Sequence, residues 1–379
     1  MRLGKRGQLS MKHNLRIVAL ALLPLLLMSG TAMAAETPEL ELTLKEAVER
    51  ALAVSFPVKK ASLERDKALL EKQEASEKLR DFYVTFSPEV EEAHILAAQA
   101  EINYHIKSKL EEAEKRDFTT TVVEKYINVL IAQEKAAAAG KSLSLTQYQH
   151  DAAQISFSHG MISLSALQKA KNNLEEAEDV LSSAQQELNK AYTDFNILVG
   201  LGAESRPNLV SEIPYIPLDI NNITAEINRA LDTSPDLWAA ERFISLKRLD
   251  LLRYFVPSYD VAELELELAE LDARGMREEI KRKLLLLIDE ILSVEKAVAA
   301  AEVQVKKAEE ALKEAVKLQS AGLLTKGEVL QLEVALDSAR AALDELQYRH
   351  AILMTAYRNL TGREILPPSL TEAADDGLD

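Results

Sequence analysis

The sequence predicts an all-α protein made of two similar three-helix halves, each with very long antiparallel coiled-coil helices. Three observations carry that expectation. The stretch HGMISLSALQKAKNNLEEAEDVL, at 159–181, has a near copy in AGLLTKGEVLQLEVALDSARAAL, at 321–343, so that Gly160 and Gly322 stand 162 residues apart. Apolar residues recur at steps of seven through both stretches and beyond them. The chain is also rich in Ala, Leu, Glu and Lys but only 5% aromatic, which is the composition of long helices rather than of sheets.

The elements follow in chain order. Residues 1–34 read as a signal peptide: five basic residues from Arg2 to Arg16, an apolar core from Ile17 to Met28, and the small residues Ala32-Met33-Ala34 for cleavage. Removing those five charges takes the net charge from -16 to -21, which argues against nucleic acid as a partner. The first half, 35–204, is expected to hold helices at about 44–86, 89–158 and 163–199. In the last of these, Leu167, Leu174, Leu181, Leu188 and Phe195 occupy one seam position and Ala170, Ala177, Ala184, Ala191 and Leu198 the other. The small row should let a neighbouring helix approach closely.

A Pro-rich linker without helical periodicity, SRPNLVSEIPYIPLD at 205–219, separates the halves. The second half, 220–365, is expected to repeat the plan at about 223–255, 261–320 and 325–361. Its seams read Val329, Leu336, Leu343 and Tyr357 beside Leu332, Ala339, Leu346, Leu353 and Leu360, with His350 as the polar intruder, read as register-setting or water-facing. Upstream, Glu49-Arg50-Ala51-Leu52 answers Asn228-Arg229-Ala230-Leu231 at an offset of 179. Pro88 and Pro257 should interrupt the helical pattern in each half. Residues 366–379 form an acidic tail expected to be disordered. Middle helices of 60 to 70 residues would be roughly 90–105 Å long, at about 1.5 Å per residue.

Two halves with a short helix, a very long helix and a Gly turn into a heptad helix resemble the TolC-type outer membrane efflux proteins. LTLKEAVERALAVSFPVKKASLE at 42–64 is similar to that family's opening, KYINVLIAQEK at 125–135 to its first long helix, and SPDLWAAE at 234–241 to the start of its second half. The resemblance spans residues 40–365. It implies a homotrimer whose helices form an α-barrel across the periplasm, working as a passive conduit with a periplasmic adaptor protein and an inner-membrane pump. It also implies that the turns at Gly160, Met161, Ser163 and at Gly322, Leu323, Thr325 are the docking tips. The sequence departs from the family in one respect. Neither the residues after Pro88 nor those after Pro257 contain a pair of roughly ten-residue alternating strands, so the transmembrane β-barrel is expected to be missing. An exported scaffold protein of the cell envelope that does not transport is the alternative.

Candidate sites are sparse. Ser163 and Thr325 suit helix N-caps, and Gly160 and Gly322 suit the left-handed position that ends a helix. Glu328 lies where the family carries an acidic gate residue, but Leu324 and Gln331 replace the Arg and the second acid of that gate. Glu91 and His94 have the Glu-x-x-His spacing of di-iron bundles without the further copies such a site needs. No phosphate-binding or nucleophile-elbow motif occurs, and the chain has no Cys for thiolate ligands, so neither catalysis nor a cofactor is expected. Beyond the signal no apolar run is long enough to span a membrane as a helix.

Overall fold

The computed structural model describes residues 40–80, 87–251 and 258–366. The expected signal peptide, the bend at Pro257 and all of the tail beyond 366 lie outside these residues. Eight helices account for nearly all of what is described: α1 (Leu44–Val54), α2 (Phe56–Arg80), α3 (Pro88–Ser158), α4 (Leu164–Val199), α5 (Ile223–Thr233), α6 (Pro235–Leu251), α7 (Tyr259–Ser320) and α8 (Lys326–Leu360). At 71 and 62 residues, α3 and α7 are the long middle helices. Two short strands, β1 (Glu41–Leu42) and β2 (Asn208–Leu209), pair in parallel and bind the start of the first half to the linker.

Among the described residues each half therefore has four helices, not three. The expected first helix breaks at Ser55 in one half and at Ser234 in the other, where ψ swings to 116° and 117°. The cause is local. Pro57 and Pro235 cannot donate to the preceding turn, and each serine hydroxyl instead accepts a peptide N–H, from Val58 and from Leu237, at 3.3 Å. The two breaks stand 179 residues apart, the same offset as the motif just upstream of them. Pro88 starts α3 rather than kinking it, behind an N-cap at Ser87.

The helices lie in rows. Towards the glycine turns the order is α4, α3, α8, α7; towards the other end it is α2, α3, α6, α7, with α1 and α5 packed at mid-height. Two cores hold the middle. One joins α1, α3 and α4 around Tyr126 and Phe195, whose rings meet edge-to-face at 5.8 Å. The second joins α5, α7 and α8 around Leu284, Ile291 and Tyr357. Burying each such side chain contributes about 1.5–3 kcal/mol.

The duplication reaches into the packing. Gly200 and Gly362 end α4 and α8 with φ of +68° and +69°. A Cβ on Gly200 would lie 3.3 Å from Val54, and one on Gly362 only 2.5 Å from Thr233. Val54 and Thr233 are themselves 179 apart, so the same helix-end contact is written twice. Only seven residues, 81–87, separate α2 from α3, and seven, 252–258, separate α6 from α7. Neither interval can hold two membrane-spanning strands of about ten residues each.

Candidate functional site: the paired turns

The two turns at the end of the long hairpins are built alike from backbone chemistry. At the first, Gly160 has φ +72°, its N–H donates to Phe157 O at 2.9 Å, and the Met161 N–H reaches back to Ser156 O at 2.9 Å. At the second, Gly322 has φ +73°, and the matching bonds run from Gly322 to Gln319 O and from Leu323 to Leu318 O, both 2.9 Å. These are Schellman closures, which satisfy the last carbonyls of α3 and α7. Space does not demand glycine here, because nothing lies within 4 Å of either missing Cβ; the positive φ does.

The next helices start on side-chain caps. Ser163 Oγ accepts the Ala166 N–H at 3.2 Å. Thr325 Oγ1 accepts the Glu328 N–H at 3.3 Å, while the Glu328 carboxylate accepts from the Thr325 N–H at 2.7 Å and from its hydroxyl at 2.8 Å. Those bonds, the backbone one first, hold the Glu328 pKa below its usual value. Glu328 is thus occupied in a capping box. In Schellman turns an apolar residue after the glycine frequently folds back on the helix. Here Met161 and Leu323 stand 73% and 72% exposed, at equivalent places on the two turns.

The seams run back from these turns. Leu167, Leu174 and Leu181 are half-buried and Ala177 is buried, on the face of α4 that meets α3. On α8, Leu336 is buried, and Ala339 and Leu343 are half-buried. Between the hairpins the contact is thinner. Lys135–Glu345 and Lys141–Asp337 bridge α3 to α8 at 2.8 and 2.9 Å, and such half-exposed pairs contribute about 0–1 kcal/mol each. Nearer the turns, Tyr148 lies so close over Gly327 that a Cβ there would come within 2.9 Å of its ring. Sequence reading missed this pair, and a glycine in the first turn of a helix was the signal for it.

Three polar fasteners hold the far ends of the hairpins, and sequence reading missed these as well. His350 is not water-facing: it is 1% exposed, with Nε2 3.1 Å from Glu295 Oε1 and its ring 4.8 Å from that of Tyr215. The same Glu295 oxygen accepts the Leu218 N–H at 2.6 Å, so the linker is tied to α7 and α8 together. Burial pulls the His350 pKa below its usual value, against the opposing bond to Glu295. Glu226 on α5 takes Arg363 at 2.6 and 2.8 Å and the Tyr357 hydroxyl at 2.6 Å. Burial works to raise the Glu226 pKa, but those bonds outweigh it and leave the carboxyl below its ordinary range. Burial pushes Tyr357 up to about 12. Finally, Arg116 on α3 donates to the carbonyls of Arg358, Asn359 and Arg363, closing the open end of α8.

His94 is exposed near the start of α3. Among the described residues no group of three or more His, Cys, Asp or Glu side chains is placed to hold a metal ion, and no helix is long and apolar enough to cross a membrane.

A duplicated pair of long hairpins packed in rows defines the class, an all-α hairpin repeat. The particular fold is that of the TolC-type outer membrane channels, without their β-hairpins. It is shared with a membrane protein from Pseudomonas aeruginosa (TM-score 0.67, 13% identity, 87% of this chain and 92% of that one). It is shared too with the CmeC outer membrane channel of Campylobacter jejuni (0.65, 12%, 86% and 88%) and the outer membrane protein VceC of Vibrio cholerae (0.61, 16%, 85% and 97%). No family model matches the sequence, and no curated protein matches it.

Proposed function

We propose that the protein is one protomer of a passive homotrimeric conduit in the cell envelope, exported by residues 1–34 and serving efflux or secretion. It makes and breaks no bond; the driving energy comes from an inner-membrane pump. A periplasmic adaptor docks on the paired turns through the exposed Met161 and Leu323. The fold shared with outer membrane channels supports this reading, but what carries it is the pair of open edges on the row.

Along one edge, α7 exposes Leu264, Leu271, Leu285 and Leu292 on a seven-residue register interrupted by Glu278, with Val261 and Leu268 beside them. Along the other edge, α2 exposes Phe56, Leu63 and Leu70 at the same spacing. Among the described residues no other helix covers either stripe. Exposed Lys59, Lys60 and Lys67 flank the α2 stripe, and exposed Glu263 and Glu267 flank that of α7. A second copy placed alongside in the same orientation would set its α7 antiparallel to this α2, bury both stripes and match their charges.

Because the chain has no native Cys, the test is direct. Leu63→Cys combined with Leu268→Cys should give oxidised species of up to three chains, and light scattering of the unmodified protein should give a trimer mass. A single-chain mass at every concentration would defeat the conduit. It would favour the second reading, an envelope scaffold, which the missing β-hairpins also favour. Met161→Glu with Leu323→Glu should abolish adaptor capture and leave the trimer mass unchanged.

A further inference from the structure

The largest apolar side chains of α2 point away from its own chain. At steps of seven, the face that meets α3 carries Val58, Arg65, Lys72 and Leu79 at one seam position and Ala61, Ala68 and Ala75 at the other. All seven are buried or half-buried. Such a seam buries little apolar surface, because three of its positions are alanine and two carry charge. The opposite face presents Phe56, Leu63 and Leu70, which are 87%, 60% and 60% exposed.

Ion pairs supply much of what holds α2 to α3. Arg65 reaches Glu111 at 2.7 Å, Lys72 reaches Glu101 at 3.2 Å, and Lys107 of α3 reaches Glu64 at 2.8 Å. Of these six groups only Glu111 is buried, so water and salt compete for the pairs. The attachment to the core is interrupted as well. Leu44, Ala47 and Ala51 anchor α1, each 1% exposed or less, but the helix breaks at Ser55 and Pro57 supplies no N–H to carry it across. The comparable helix of the second half is α6. Its one buried residue is Leu237, yet it lies between α3 and α7, whereas α2 packs chiefly on α3 at the edge of the row.

We propose that α2 is an assembly-dependent arm, hinged at Ser55. In a single chain it swings away from α3. In the assembled protein α7 of the next copy covers Phe56, Leu63 and Leu70 and clamps α2 in place. The arm rests on the trimer reading and adds an order of events to it: this edge of the wall closes only as copies join.

Amide hydrogen exchange read by mass spectrometry tests the arm, with α6 as the internal reference. Leu264→Glu with Leu271→Glu supplies the single-chain form, and both residues lie at the opposite edge of the row from α2. In that form peptides from 58–80 should exchange about tenfold or more faster than in the trimer, while those from 237–251 should change by less than about threefold. An equal rise in both helices, which would mean general loosening of that end, overturns the arm. If the variant loses its helicity, wild type diluted until light scattering gives one chain replaces it, with the same outcomes. A wild type that is one chain at every concentration overturns the trimer and the arm together. A trimer whose α2 exchanges as fast as in the single chain overturns the arm alone.

Discussion

Single residues set the geometry of this protein where two helices come closest. At Gly327, alanine would normally gain about 1 kcal/mol from helix propensity. Here its Cβ would lie 2.9 Å from the Tyr148 ring, so the ring must move. Gly327→Ala should therefore stabilise the Tyr148→Ala background more than the wild type, with a coupling of about 0.5 kcal/mol or more in urea unfolding. Additive effects would mean that Tyr148 does not hold the α8 turn. His350 makes a second residue-scale prediction. Its pKa is lowered in the folded protein, so the unfolded chain binds the proton more readily. Its contribution is fully present above the unfolded pKa of about 6.5 and declines as pH falls below it. Urea midpoints measured from pH 8 to pH 5 should fall, and His350→Gln should flatten the slope between pH 6.5 and 5.

At the scale of the element, the seams decide how near two helices lie. Ala177 is buried where α4 meets α3, so Ala177→Leu should overpack and cost about 1–3 kcal/mol. Ala339 is half-buried, and Ala339→Leu should cost less. Equal thermal stability of Ala177→Leu and wild type would place that seam in solvent. The end of α8 depends on a residue from another helix. Arg116→Ala removes the donors to three carbonyls at 358, 359 and 363. Faster amide exchange confined to residues 355–366 is the expected outcome, and unchanged exchange there would mean that water replaces the guanidinium without loss.

For the whole molecule, the open rows are the decisive feature. A stripe of exposed leucines along α7 has no partner among the described residues, and charge placed on it should prevent assembly rather than folding. Leu264→Glu with Leu271→Glu should convert a trimer to a monomer by light scattering while the circular dichroism spectrum stays helical. Loss of helicity would show instead that the stripe packs within one chain.

By itself the sequence determined what depends on near neighbours. Heptads at 167–198 and 329–360 specify helices and their apolar faces, because spacing alone puts those residues on one side. Gly160 with Ser163, and Gly322 with Thr325, specify their turns, because the left-handed φ and the cap are properties of five consecutive residues. The breaks at Ser55 and Ser234 were legible too, in a serine with a proline one or two residues after it, although periodicity on both sides hides them. The partners were not legible. That His350 meets Glu295 and that Arg116 closes the end of α8 from 242 residues away are decided by which helix lies beside which. Periodicity shows that a face must be covered, and only tertiary packing chooses what covers it.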